Sequence, residues 1–444
     1  MSSQQQPYPA RRYSIYVLVV LLLAYILSFI DRNVLAMLVG PIRQEFEISD
    51  FQFSILHGWA FTIFYIFLGL PIGWLADRYS RKWIITGGVF FWSIMTVACG
   101  LARSFGSLFV TRIGVGVGEA ALSPPTYSLL SDYFPPNRLR WATAVFATGI
   151  TIGSGSSYIV GGQVYEYFAG LDELVLPILG QFSAWQATFV AVGLPGLLIV
   201  LLLLFVKEPP RRKANAQDSG KEVPVKEVLA FLKQHWQVYT ALMMGVSAMS
   251  IIGYGTLTWF PEFLQRSYAM PKTEAGNSLG SIFLIAGTAG TLCGAFFATL
   301  LEKFGYKDAN MRVVMLAALI AMMPAVAAPL MPESEYALLL TWPVIFIHYT
   351  HFGVAVAGLA IITPNRMRAQ VAALLLFLTN LFGLALGGSF VAFFTDFVYG
   401  EDLALGKSIA TVSAIMYPLA AILIGWGLRH YRNMLDYNER ICDE

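Results

Sequence analysis

The sequence predicts an all-α membrane protein with twelve transmembrane helices in two pseudo-symmetric six-helix bundles. Three observations predict it. Of 444 residues, 57% are hydrophobic and only 13% are charged, whereas a soluble domain of this length carries roughly 25% charge. The apolar residues gather into segments close to the ~20 residues that a bilayer core requires. Short motifs also recur at a nearly constant offset. Gly73 to Lys82 (GWLADRYSRK) is echoed by Ala298 to Lys307 (ATLLEKFGYK), 302 − 77 = 225 residues later. Pro136-Asn137-Arg138-Leu139-Arg140 is echoed by Pro364-Asn365-Arg366-Met367-Arg368, 366 − 138 = 228 residues later. Two matches in register argue for a duplicated half, about as long as six spans with their loops.

Taken in order, residues 1–12 form a polar tail. Spans are expected at about 13–38, 51–76, 84–102, 107–132, 138–168 and 184–206, which make the N-terminal bundle of residues 13–206. Residues 207–234 are the one long polar interruption and the expected linker, with Val225 to Lys233 suited to a short surface helix. A second set follows at about 236–264, 275–303, 311–331, 336–362, 366–396 and 405–430, giving the C-terminal bundle 235–430 and a tail 431–444. The apolar run after Arg12 is too long for a signal-peptide h-region and has no small-residue cleavage site. Cys99, Cys293 and Cys442 are far apart, which fits neither a disulfide framework nor a metal site.

Orientation follows from Lys and Arg, which concentrate on the cytoplasmic side of a membrane protein. With the N-terminus inside, 22 of the 29 fall on that side and five on the other (Arg43, Arg103, Arg266, Lys272 and Lys407). Two remain within spans, Arg32 and Arg112. Both termini are therefore expected to be cytoplasmic, and short loops on a short chain suit a bacterial inner membrane. The net charge of +2 gives no reason to expect nucleic acid. Without a Walker sequence, ATP hydrolysis is not expected. No nucleophile–base pair or metal cluster stands out, so neither an enzyme nor a cofactor is expected.

Twelve spans, a 6+6 repeat, a central linker and G-x-L-A-D-R-x-x-R-K after span two resemble the major facilitator superfamily. Within it, F-I-D-R-N-V-L in span one and R-I-G-V-G-V-G-E-A in span four resemble the Spinster-type transporters, whose relatives move sphingosine-1-phosphate and lysophospholipids. The Gly-Pro motif that many drug/proton antiporters of the superfamily carry in span five is missing. That span reads GITIGSGSSYIVGG from Gly149 to Gly162, so drug antiport is not implied.

Ionisable groups at membrane depth usually face an aqueous cavity or a partner. Asp31 and Arg32 interrupt span one; Arg112 and Glu119 interrupt span four and lie two turns apart on one face. The resemblance implies a cavity lined by spans one, four, seven and ten, where these four could meet. Two readings stand. In one, Arg32 and Arg112 attract an anionic headgroup while Asp31 and Glu119 pair with them and take up protons. In the other, the four form a static ion-pair cluster that locks one state.

The resemblance further implies that Asp77 lies near the start of span eleven, around Asn365 and Arg366, where a helix N-terminus stabilises a carboxylate. The repeat adds Glu302 near Arg138. Gly73, Asp77, Arg78, Arg81, Glu302, Arg138 and Arg366 are then expected to form a cytoplasmic latch; the alternative is a cationic loop that only sets topology.

Span ten contains His348, Tyr349 and His351, with the histidines three apart on one face and titrating near neutral pH. They are candidates for substrate contact or for hydrogen-bonded structural residues, and their spacing argues against zinc. Tyr254 and Trp259 in span seven, and Thr379 and Asn380 in span eleven, are further cavity candidates. Trp259 also suits an aromatic belt, and Thr379 and Asn380 also suit interhelical bonding.

Adding 228, Arg112 maps onto Leu340 and Glu119 onto Ile347. The cavity should therefore be polar on the first half and apolar on the second, which suits an amphipathic anion with an alkyl tail. The sequence reading is a monomeric, proton-coupled secondary transporter of a small amphipathic lipid, working by alternating access. Another organic anion, such as a sugar phosphate or carboxylate, is the alternative cargo, and a non-transporting membrane receptor the alternative class.

Overall fold

The computed structural model describes residues 8–171, 175–176, 180–211 and 223–443. Residues 1–7 of the expected N-terminal tail, 212–222 of the expected linker and Glu444 lie outside the described residues.

Among the described residues, twelve helical stretches are long and apolar enough to cross a membrane. In a bilayer core every backbone N–H and C=O must be satisfied internally, and a helix does this within one segment. Most expected spans are met within a few residues. Span one is Arg11–Met37, span two Asp50–Gly69, span three Arg81–Cys99 and span four Phe105–Tyr133. Span five is Pro136–Ala169, span six Ala184–Leu204 and span seven Trp236–Tyr268. Span eight is Lys272–Lys303, span nine Ala309–Leu330, span ten Ser334–Ile362, span eleven Arg368–Tyr399 and span twelve Asp402–Asp436. The last helix continues to Asp443, past the position where the apolar pattern ends. The linker helix forms at Val225–Gln234. A two-residue antiparallel pairing, Val175–Leu176 with Gly180–Gln181, lies between spans five and six.

The chain packs as two compact units. The first comprises Met1–Ala216 and Met270–Gly280; the second comprises Gln217–Ala269 and Ser281–Glu444. The start of span eight thus packs with the first unit. Glu166 accepts from the Thr273 N–H at 2.9 Å and from its hydroxyl. The backbones run so close that a Cβ on Gly276 would stand 2.3 Å from the Tyr158 carbonyl.

Several spans are interrupted, and the interruptions position polar groups. Span one is α-helical to Asn33 and tightens to a 3-10 turn at Val34–Met37. Span two contains a π turn at Ile55–Trp59. Span four breaks between Glu119 and Ser123, where Pro124 and Pro125 begin a new helix, because proline lacks the N–H that would continue the old one. Span ten breaks at Thr350, between helices Ser334–Tyr349 and His351–Ile362. Span eleven contains a π turn at Leu381–Leu386.

Candidate functional site

The four intramembrane charges of the first unit converge where spans one and four break. All are buried: Asp31 and Arg112 are 0% exposed, Glu119 2% and Arg32 4%. The pairing is not symmetrical. Arg32 forms a salt bridge to Glu119 at 2.5 Å. Its guanidinium also lies 4.4 Å from the Phe61 ring centroid, 4.7 Å from Phe29 and 5.0 Å from Tyr65. Such rings favour a cation most strongly when water is excluded.

Arg112 reaches no carboxylate. It donates to the backbone carbonyls of Asp31 and Arg32, each at 3.2 Å. Those carbonyls belong to the last four of the span-one α-helix, which have no partner in an α-helical ladder. The expectation that both carboxylates pair with the arginines is thus met by Glu119 alone. Asp31 makes no ion pair among the described residues. Trp92 and Thr96, one turn apart on span three, face its carboxylate without closing to hydrogen-bond geometry.

Asp31, both ends of the Asn33 amide, one Glu119 oxygen, the Trp92 indole N–H and the Thr96 hydroxyl are buried without a hydrogen-bond partner. A fold selected for stability alone pairs such groups, since each unmade bond costs about 1–3 kcal/mol. Their concentration around one cluster makes it the candidate site. His57, in the π turn of span two, interacts with the charges of Arg112 and Arg32 and is 4% exposed. It is absent from the expected site residues, although the rule that singles out Asp31, a titratable group inside an apolar run, applies equally to it.

The glycines of span four make this convergence sterically possible. A Cβ on Gly116 would stand 2.4 Å from the Phe61 carbonyl oxygen, and one on Gly118 would stand 2.7 Å from the Trp92 nitrogen. Only glycine lets span four approach spans two and three so closely.

The loop after span two is held within its own unit. Arg81 is 2% exposed. It bonds Asp132 at 2.5 Å, Glu208 at 2.8 Å and the Ser128 carbonyl at 3.0 Å. Glu208 also accepts from the Lys82 N–H at 2.8 Å and the Ser80 hydroxyl at 2.9 Å, and so caps span three from just beyond the end of span six. Burial alone would raise the Glu208 carboxyl, but these donors and the Arg81 charge hold it below the usual glutamate range. Arg81, expected in the latch, therefore serves inside its unit. Asp77 is exposed, and its carbonyl accepts from Arg211. Arg78 lies 3.8 Å over Trp74. Glu302, Arg138 and Arg366 are exposed, and Gly73 has open space around it.

In the second unit, His348 and His351 are 3% and 1% exposed. His348 Nδ1 lies 3.3 Å from the Tyr417 hydroxyl, and His351 Nδ1 meets the His348 carbonyl. Tyr349 packs edge-on against Phe283. Trp259 is fully buried and donates to the Gly388 carbonyl at 2.8 Å; a place in the aromatic belt is excluded, because the ring is sealed between spans seven and eleven. Thr379 bonds back to Leu376 in its own helix at 3.1 Å, so it does not bridge helices. Asn380 and Tyr254 are half-buried, Asn380 at the mouth of the span-eleven π turn.

The sequence model of the Major Facilitator Superfamily matches residues 21–392. An MFS-type efflux pump of Mycolicibacterium smegmatis is 25% identical over 418 residues, 93% of this chain and 92% of that protein. Protein spinster homolog 1 of Rattus norvegicus is 29% identical over 66% of this chain and 56% of its own length; the chain spans about half of that relative. Among solved structures, a bacterial homolog to the human lysosomal transporter Spinster, inward-facing and unoccupied, aligns with a TM-score of 0.79 and 28% identity. That alignment covers 96% of this chain and 99% of the homolog. A D-xylose-proton symporter aligns at 0.70 with 16% identity over 93% of this chain and 97% of its own, a likeness of fold alone.

Proposed function

This chain belongs to the Major Facilitator Superfamily and is a multi-pass membrane transporter, not an enzyme, with Spinster proteins among its homologues. We propose that it moves an amphipathic anionic lipid, of lysophospholipid or sphingosine-1-phosphate type, coupled to protons through Asp31 and Glu119. The observation that carries this reading is the asymmetry of charge. The first unit buries two arginines and two carboxylates at the breaks of spans one and four. The positions equivalent to Arg112 and Glu119 in the second half are Leu340 and Ile347. A cargo with an anionic head and an alkyl tail matches that asymmetry, whereas a sugar requires polar partners all round.

Asp31 is the better candidate for the coupling proton, because no cation within salt-bridge distance holds it ionised. Glu119 changes protonation only if Arg32 releases it. Alternating access would supply that change by altering burial and the distance to arginine. The excess of loop cations on one side supports cytoplasmic termini, the short loops suit a bacterial inner membrane, and the reading takes the working unit as a monomer. Cargo of another organic class remains the second reading, favoured by the mycobacterial efflux pump that matches this chain nearly end to end.

Uptake into proteoliposomes under an imposed proton gradient separates these readings. A labelled lysophospholipid should accumulate, with single-chain lysolipids competing and glycerol 3-phosphate not. Equal competition by the short phosphate would discard the lipid reading, and uptake indifferent to the gradient would discard the coupling.

A further inference from the structure

We propose that the cavity at the starts of spans one and five binds the anionic headgroup of a bilayer phospholipid, at a site separate from the Asp31–Arg112 cluster. The cavity measures about 410 Å³ and lies between the Tyr8–Ile15 and Tyr133–Trp141 segments. Arg11, Asn137 and Arg138 line it, and no acidic side chain does. Among the described residues, neither guanidinium makes a hydrogen bond or ion pair. Two exposed arginines in one concavity, with no carboxylate between them, form a site of unbalanced positive charge.

The backbone adds to that charge. The helices beginning at Arg11 and Pro136 both start at the cavity wall. Neither has a side-chain cap, and neither carries an acidic residue in its first turn. The positive ends of two helix dipoles thus add to the two side-chain charges. A phosphate is the group that accepts from a guanidinium fork, an amide and helix N–H groups together.

The rim selects a lipid over a free phosphate. Trp141 is 56% exposed beside the arginines, in the manner of a tryptophan at the membrane interface. Ile15 lines the cavity and begins an exposed apolar stripe continued by Val19 and Leu23, at 36%, 46% and 40% exposure. These residues are four apart and share one helix face. A headgroup seated between Arg11 and Arg138 would lay an acyl chain along that stripe.

The test uses the full-length protein in a neutral detergent. Phosphatidylglycerol, phosphatidylcholine and glycerol 3-phosphate are each titrated, with bound lipid counted by native mass spectrometry and stability followed by thermal unfolding. Phosphatidylglycerol should bind and raise the melting temperature, while the other two should not. Arg11→Gln and Arg138→Gln should each weaken its binding roughly fivefold, and Arg140→Gln, outside the cavity lining, should leave it unchanged. Asn137→Asp separates folding from binding. A carboxylate in the first turn favours the helix, so this variant should stay folded yet lose phosphatidylglycerol. The proposal falls if the arginine variants bind phosphatidylglycerol like the wild type, if phosphatidylcholine binds equally, or if glycerol 3-phosphate binds as tightly as the lipid.

Discussion

Arg32 and Arg112 carry the same charge within one buried cluster, yet their partners predict different consequences of losing them. Arg32 neutralises Glu119. Removing it leaves a carboxylate uncompensated in a dry site, which typically destabilises by about 3–5 kcal/mol. Asp31 has no such partner, so Asp31→Asn removes a titratable group without breaking an ion pair. Arg32→Gln should therefore unfold at a markedly lower temperature in detergent. Asp31→Asn should melt close to the wild type and lose gradient-driven uptake. Thermal unfolding beside proteoliposome uptake checks both; an Asp31→Asn variant that keeps its coupling would remove Asp31 as the proton site. The charges were legible in the sequence because an ionisable residue inside an apolar run is conspicuous. The carbonyl partners of Arg112 were not, because they arise from a change of helix type at Asn33 that composition does not reveal. His57 was legible by the same rule as Asp31, and its single ring in an apolar run is a weaker signal than a paired charge.

At the scale of the helix, the glycine run of span four was visible only as a motif. Its physical content is the approach of Gly116 to the Phe61 carbonyl and of Gly118 to the Trp92 backbone, which needs three helices in place to be seen. Span three shows the reverse case. Its start has no cap in its own chain segment and takes one from Glu208, 126 residues away from Lys82. Local sequence rules for helix starts cannot find such a cap. It also makes the element sensitive to acid. The folded state holds the Glu208 carboxyl below its ordinary value, so the ionised form contributes stability that is complete above that ordinary value. The contribution is lost as pH falls through the lowered one. Melting temperature should therefore drop between about pH 5 and pH 3 more steeply in the wild type than in Glu208→Gln. Parallel slopes would show that the cap contributes nothing.

At the scale of the molecule, the spans were legible because a bilayer imposes length and hydrophobicity on each segment separately. The membership of each segment in a packed unit was not, since packing depends on surfaces rather than on order. Span eight illustrates this: its apolar pattern is continuous, yet Met270–Gly280 packs with the first unit while the rest of the helix packs with the second. Contacts to span five hold that first stretch: the close glycine approaches, the Glu166 carboxylate on the Thr273 N–H, the Gln163 amide on Asn277 and the Lys272 ammonium over the Tyr165 ring. Glu166 occupies the position of a helix cap supplied from another span, and loss of a cap typically costs about 0.5–2 kcal/mol. Glu166→Ala should raise amide hydrogen exchange over residues 273–276 by about 2- to 30-fold, if local opening governs exchange there. The loop-proximal amides of span three, held by Glu208, should not change. Unaltered exchange at 273–276 would assign the hold to the remaining contacts with span five. Faster exchange throughout the first unit would show that the span-eight stretch and the unit around it open together.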